Sequence, residues 1–194
     1  MKHLFTLIAF ISVAISAQAA PLWLRYPAIS PDGSTIAFTY KGSIYTVPAT
    51  GGTATRITPT ENYDLHPVWS PDSRTVAFAA DRYGNFDVFT VPATGGAPTR
   101  ITTHSSKEEP YAFSNDGQKI YFGASISDPA SSALFPKSSM GELYAVNVDG
   151  GRPERVLATP AQAINFSRDG KQFLYQDRKG GEDEFRKHHT SSIT

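Results

Sequence analysis

A histidine pair near the carboxyl end of this 194-residue sequence is the clearest arrangement of residues with possible chemistry. His188 and His189 follow the acidic run 182–184, and imidazole together with carboxylate could hold a metal ion. Adjacent residues of a strand point to opposite faces, so both histidines could bind one ion only from a loop. We therefore favour a polar loop between repeated units and expect no metal ligand there.

The acidic segment 81–87, Asp-Arg-Tyr-Gly-Asn-Phe-Asp, is loosely similar to a calcium-binding loop. It lacks the terminal glutamate and the twelve-residue frame of such loops, and we interpret it as a hairpin connection. Nucleophile elbows, Ser-x-x-Lys pairs, zinc-peptidase motifs and phosphate loops are missing from the sequence. The sequence therefore predicts no catalytic, cofactor-binding or metal-binding residue in this chain.

The elements that would position any site are signalled by a turn that occurs four times. Its copies are Ser30–Gly33 (Ser-Pro-Asp-Gly), 70–73 (Ser-Pro-Asp-Ser), 114–117 (Ser-Asn-Asp-Gly) and 167–170 (Ser-Arg-Asp-Gly). Asp can bond its own backbone and Gly accepts the positive φ that follows, so we expect strain where Ser73 replaces the glycine. Units that repeat along a chain in this way form one supersecondary element each and stack on their neighbours.

Each unit contains short candidate β-strands that are separated by turn signals, and in the first three units a Gly-Gly pair precedes the last candidate strand. Four-stranded antiparallel sheets that are apolar on both faces must be covered on both sides, and radial stacking achieves this. We predict an all-β propeller with three complete blades and an incomplete fourth. The blades cover residues 22–58, 63–102, 106–157 and 161–194, and the inter-blade packing residues are Ile29, Trp69, Phe113 and Phe166.

The alternation of strands places both kinds of short turn on one rim and the variable loops on the other. Binding residues concentrate on variable loops that a rigid scaffold holds, and the long connection 125–141 belongs to this rim. The alternative is a solvated rim without a ligand. The candidate peptide-contact residues are Tyr63, His66, Arg82, Tyr83, Glu108, Tyr111 and Lys137.

Composition and the amino-terminal segment bear on the compartment. Residues 1–19 have a short polar start, an apolar run and Ala17-Gln18-Ala19, which is the layout of a cleavable signal peptide. The formal net charge is +0, and the chain has no cysteine. We expect a periplasmic or secreted protein without disulfides, without nucleic-acid partners, and without a membrane segment after signal cleavage.

The motifs Ser-Pro-Asp-Gly, Ile-Ala-Phe and Arg-Ile-Thr resemble the WD40-like (PD40) blade repeats of the TolB propeller and the tricorn-type peptidases. Residues 22–27 and 182–192 resemble more closely the amino-terminal propeller of secreted bacterial tricorn-type serine peptidases. In that family a PDZ module and a catalytic domain of the C-terminal-processing type follow the propeller. The fourth unit ends before its Gly-Gly hairpin and last strand, which suggests a fragment or truncated product.

This resemblance implies a non-catalytic propeller that guides or filters peptides for a peptidase domain, with peptides or proteins and the downstream domains as partners. The alternative is a TolB-like module that docks envelope proteins. An enzyme with its site in the propeller channel is the least favoured class, because no catalytic signature occurs.

Overall fold

The computed structural model describes residues 23–58, 62–126, 141–167, 169–177 and 188–192, and all regular elements in these ranges are β-strands. The first sheet consists of β1 (Arg25–Ile29), β2 (Thr35–Tyr40), β3 (Ser43–Pro48) and β4 (Thr55–Arg56). The second consists of β5 (Asp64–Trp69), β6 (Thr75–Ala80), β7 (Asp87–Pro92) and β8 (Thr99–Arg100). Both are antiparallel meanders in sequence order.

A third group of strands contains β9 (Glu108–Phe113), β10 (Lys119–Ala124), β11 (Glu142–Asn147), β12 (Glu154–Phe166), β13 (Gln172–Asp177) and β14 (His188–Ser192). The long strand β12 pairs with β11 through its first half and with β13 through its second half. It therefore closes the third blade and opens the fourth, which has three strands among the described residues. The predicted all-β propeller, with three four-stranded blades and a partial fourth, is confirmed.

One local prediction in the fourth blade is wrong. Residues 188 and 189 were expected in a polar inter-blade loop, but they begin β14, which pairs antiparallel with β13 from Gln172 to Gln176. The segment has no alternation of apolar and polar residues, so its sequence lacks the usual strand signal. The strand conformation of this segment therefore depends on backbone hydrogen bonding to β13 and not on its side-chain pattern.

The core lies between the sheets. Trp69 and Phe78 of the second blade pack with Ala37 and Ile44 of the first, and the Trp69 indole N–H donates to the Ala28 carbonyl at 2.9 Å. Phe113 and Phe166 are likewise packed against the preceding blade. The prediction for Ile29 is wrong, because Ile29 is 61% exposed, and among the described residues no blade precedes β1 to pack against it.

The four Ser-x-Asp turns share one hydrogen-bond pattern. In the first, the Ser30 hydroxyl and the Ser34 N–H both donate to Asp32 Oδ1, at 2.5 and 2.9 Å. Ser73 takes a φ of 60° where the other copies have glycine, so the expected strained residue is present. The Ala49 N–H donates to the Ser34 carbonyl at 2.8 Å, which places the Ser-x-Asp and Gly-Gly turns on the same rim.

Candidate functional site

The first strands of the four blades surround a common space. A cavity of about 460 Å³ is lined by residues of β1, β5, β9 and the second half of β12. The lining residues that lie just before the turns are Ile29, Trp69, Phe113 and Phe166. This space is the central channel of the propeller, and the inner strands form its wall.

Each inner strand contains an irregularity in its pairing with the next strand. At the irregularity the backbone φ is positive for Tyr26 (53°), His66 (54°) and Ala163 (50°). Such φ values cost energy for any side chain and are unusual for bulky residues. Bulges of this kind re-aim side chains, and here they do so at the same level of three blades.

The bulge residues Tyr26 and His66 take part in a set of side-chain contacts that connects three blades. The Tyr26 ring stacks on the His66 ring with centroids 3.8 Å apart. His66 Nδ1 lies 3.0 Å from Glu109 Oε1, and Lys107 Nζ lies 3.4 Å from Glu109 Oε2. Hydrogen bonding to His66 lowers the pKa of Glu109 below its usual value, and the nearby charges of His66 and Lys107 act in the same direction.

A second set of charged and aromatic contacts lies on the connection between β6 and β7. Arg82 Nη2 contacts both carboxylate oxygens of the fully buried Asp64, at 3.0 and 3.1 Å. The Tyr83 side chain is exposed, and the Arg100 guanidinium lies 4.3 Å from its ring centroid. Arg100 Nη2 in turn lies 2.7 Å from Asp87 Oδ2. Buried charges are tolerated here because each arginine pairs with a carboxylate.

The family model for the tricorn protease N-terminal β-propeller domain matches residues 21–193. This match covers all the described strands and the three bulges at Tyr26, His66 and Ala163.

The chain belongs to this tricorn-type propeller family.

Individual relatives agree with this membership. The chain is 30% identical over 133 residues to an uncharacterised protein of Agrobacterium fabrum, which covers 66% of this chain and 41% of that protein. It is 35% identical over 72 residues to tricorn protease homolog 1 of Streptomyces coelicolor, covering 37% of this chain and 7% of the homologue. The chain thus spans less than half of either relative.

The structure of a putative TolB from Agrobacterium tumefaciens is also similar, with a TM-score of 0.69 and 25% identity. The similarity covers 86% of this chain and 60% of the TolB chain.

In this tricorn-type propeller the predicted contact residues lie in different environments. Tyr63 and Tyr83 are exposed, and His66 is partly exposed within the Tyr26–Glu109 set. Arg82 is instead directed to the interior by Asp64, and Glu108 is fully buried.

Two further candidates complete the predicted set. Tyr111 is half-buried, and its ring packs so closely on Gly123 that a Cβ atom there would lie 2.6 Å from Tyr111 Cζ. Lys137 lies outside the described residues. Peptide contact by any of the seven residues stays a prediction.

The connected residues Tyr26, His66, Lys107 and Glu109 form the channel-wall set. Sequence analysis singled out only His66 among them. A signal for Tyr26 was present: it stands four residues before Ser30, as His66 stands four residues before Ser70. Aligning the repeats on the turn serine therefore places both residues at the same level of neighbouring inner strands. The contact with Glu109 depends on the bulge geometry, which the sequence pattern does not indicate.

The loop that is similar to a calcium site is a hairpin connection, as predicted. The Gly84 N–H donates to the Asp81 carbonyl, and Asp81 Oδ1 accepts the Tyr63 N–H at 2.8 Å. Among the described residues, no group of three or more His, Cys, Asp or Glu side chains is arranged to hold a metal ion. That part of the chain also has no helix that is long and apolar enough to cross a membrane.

Proposed function

We propose that this propeller binds peptides at the loop-bearing end of its channel, as a non-catalytic domain of an exported tricorn-like serine peptidase. The observation that carries the proposal is the Tyr26–His66–Glu109 set, which crosses three blades on the channel wall. Two of its residues are held at strained positive φ values, and strain of this kind often marks a functional site.

The set offers the chemistry that a peptide requires. The Tyr26 ring provides an apolar face, while His66, Glu109 and Lys107 provide hydrogen-bond donors and acceptors and charge of both signs. Tyr63 and Tyr83 add exposed aromatic surface on the adjoining loops. Aromatic side chains contribute contact area at a low cost in conformational entropy, which suits the binding of varied peptides.

The proposed peptidase context is supported by family membership, and the proposed export is supported by the signal-peptide layout of residues 1–19. The chain matches only 7% of the Streptomyces tricorn protease homolog, so a peptidase partner would lie in other domains. We infer that a PDZ module and a C-terminal-processing peptidase domain follow in the full protein. Residues 1–19 support export, and the absence of cysteine is compatible with either the periplasm or secretion.

A TolB-like docking module of the envelope is the second candidate, and the similarity to the Agrobacterium TolB structure favours it. The gene sequence downstream of codon 194 separates the two. PDZ and peptidase segments in frame would support the peptidase proposal. A stop after further blades alone would support the docking module.

Peptide binding can be measured by fluorescence anisotropy with short fluorescein-labelled peptides from a tryptic casein digest and the purified chain. We expect saturable binding, and about tenfold weaker binding for His66→Ala, which corresponds to about 1.4 kcal/mol. Thr53→Ala, an exposed change on the opposite rim, is the matched control and should bind as the original chain does. Equal affinities for both variants, or no saturable binding by the original chain, would overturn the proposal.

A further inference from the structure

Two buried carboxyl groups meet at the junction of the second and third blades. Glu108 is fully buried, and neither of its carboxylate oxygens has a hydrogen-bond partner among the described residues. Asp87 is also fully buried, and its Oδ2 lacks hydrogen-bond geometry although Arg100 Nη2 is 2.7 Å away. Two ionised carboxylates can only accept, so neither can satisfy the other.

The repeat shows why Glu108 has no cationic partner of its own. Asp64 and Glu108 begin the inner strands of consecutive blades, and they pair with Ala80 and Ala124 at equivalent positions. Asp64 is held by Arg82, two residues after Ala80. The corresponding residue in the third blade is Ile126, which cannot form an ion pair.

The same comparison shows why Glu108 meets a second carboxyl group. The Glu108 N–H donates to the Phe86 carbonyl at 2.7 Å, which places Glu108 beside the start of β7 at Asp87. At the preceding junction the Asp64 N–H donates to the Gly42 carbonyl, and β3 begins with Ser43.

At the following junction Ala161 occupies the position of Glu108, and β11 begins with Glu142. Of the three described junctions, only the middle one therefore combines two carboxylic residues at these positions.

Burial raises the pKa of Glu108 to about 7, and the nearby Asp87 charge acts in the same direction. The neighbouring Thr102 hydroxyl, which has no hydrogen-bond geometry with the carboxylate, and the Arg100 charge oppose the increase. Burial also raises the pKa of Asp87, against the charge of Arg100. The Glu108 N–H bond to Phe86, the chain neighbour of Asp87, places the two carboxylic residues side by side, so each influences the pKa of the other.

We propose that Glu108 and Asp87 share one proton in a carboxyl–carboxylate hydrogen bond, which fastens the third blade to the second and is released at higher pH. When the proton leaves to water, two like charges remain in a buried site with Arg100 as the neighbouring cation. The junction then opens locally at the loop-bearing rim. Apart from the O–H bond of the departing proton, no covalent bond forms or breaks in this step.

The other charged groups around the pair already have partners. Lys107 and Glu109, which flank Glu108, are joined to each other and to His66 of β5. Among the described residues, the remaining ion pairs on the elements that pack around β9 are Asp64–Arg82, Lys119–Glu154 and Glu142–Arg155. His104 Nδ1 lies 2.8 Å from the Ser106 hydroxyl. A proton shared with Asp87 would give Glu108 the hydrogen-bond partner that none of these charged groups supplies.

Carbon-detected NMR titration of the side-chain carboxyl groups in the full chain tests the shared proton directly. We expect a glutamate resonance that titrates with a pKa of about 7 and is missing from the Glu108→Gln variant. Asp87→Asn, which removes the neighbouring charge, should lower the pKa of Glu108. A Glu108 resonance that titrates in the ordinary glutamate range, near 4.3, would overturn the proposal.

Amide hydrogen exchange at the Glu108 N–H tests the opening of the junction. Corrected for intrinsic rates, its protection should fall up to about tenfold per pH unit between about pH 4.5 and 7, and then level off. In Glu108→Gln this dependence should vanish, because the amide donates at every pH. The Asp64 N–H of the same chain, whose residue is paired with Arg82, is the internal control. Equal pH dependence at both amides would overturn the proposal.

Discussion

His66 Nδ1 lies 3.0 Å from Glu109 Oε1, so an imidazole on the inner strand of the second blade is joined to a carboxyl group on that of the third. The contact depends on a bulge that holds His66 at a φ of 54°. Glycine at position 66 would adopt this φ at a lower conformational energy, but it would lose the contact with Glu109. The contact of His66 with Glu109 is therefore maintained against a local energetic cost, as is common at functional sites.

The cost of the bulge can be separated from the value of the side chain. His66→Ala and His66→Gly both remove the imidazole, but glycine adopts a positive φ without the Cβ penalty. We expect His66→Gly to be more stable than His66→Ala by about 1 kcal/mol in urea unfolding. Equal or reversed stabilities would show that residue 66 leaves the positive φ region when its side chain is removed.

Replacement of Arg82 should strongly destabilise the chain. Arg82→Ala leaves the Asp64 carboxylate fully buried without its arginine, and breaking a buried pair in this way costs about 3–5 kcal/mol. Arg155→Ala, which breaks the more exposed contact with Glu142, should cost less than about 1 kcal/mol. Denaturant unfolding of both variants measures the difference. Similar losses would contradict the structural role assigned to Arg82.

Gly123 is required by the Tyr111 ring that packs against it. A Cβ at Gly123 would overlap the Tyr111 hydroxyl, so Gly123→Ala should cost about 1–3 kcal/mol. The clash disappears if Tyr111 is shortened, and Gly123→Ala should then cost much less in a Tyr111→Ala background. A double-mutant cycle in urea measures this coupling. Additive effects of the two changes would contradict the contact.

Stability should depend on pH in opposite directions for two neighbouring glutamates. Folding raises the pKa of Glu108 from 4.5 to about 7, so its contribution is complete below about pH 4.5 and is lost as pH rises to about 7. The shift corresponds to about 3 kcal/mol at most. The pKa of Glu109 is lowered, so its contribution is present above its ordinary pKa and is lost as pH falls.

Thermal melting of the original chain and of Glu108→Gln between about pH 4.5 and 8 measures the first contribution. The melting temperature of the original chain should decrease over this range relative to that of the variant. Glu109→Gln is the matched control, and its melting temperature should still decrease at high pH. Parallel curves for the original chain and Glu108→Gln would contradict the assignment.

The fold could be predicted because the Ser-x-Asp turn encodes its own geometry. Asp32 accepts hydrogen bonds from both Ser30 and Ser34, and this pattern needs no distant residue. Strand β14 could not be predicted, since its order depends on pairing with β13. The burial of Glu108, a candidate contact residue of the rim, could not be predicted for a similar reason: it is decided by the position of Glu108 beside β7, which only the assembled blades reveal.

The candidate site was predictable in part. Exposed Tyr63 and Tyr83 were expected on the variable rim, and the structure describes them there. The contacts of His66 with Tyr26 and with Glu109 were not expected, because they connect three blades and depend on two backbone bulges. Local pattern indicates which residues share a rim, whereas contacts between blades depend on how the sheets stack.

Peptide binding on the channel wall is tested most directly by nitrogen–proton NMR of the labelled chain during titration with the casein-derived peptides. We predict saturable shift changes at the amides of His66, Glu109 and Tyr83, and unchanged signals at Gly33 and Gly117 in the turns of the opposite rim. Shifts confined to the turn glycines, or no shift at a peptide concentration that saturates anisotropy, would contradict binding at the channel wall.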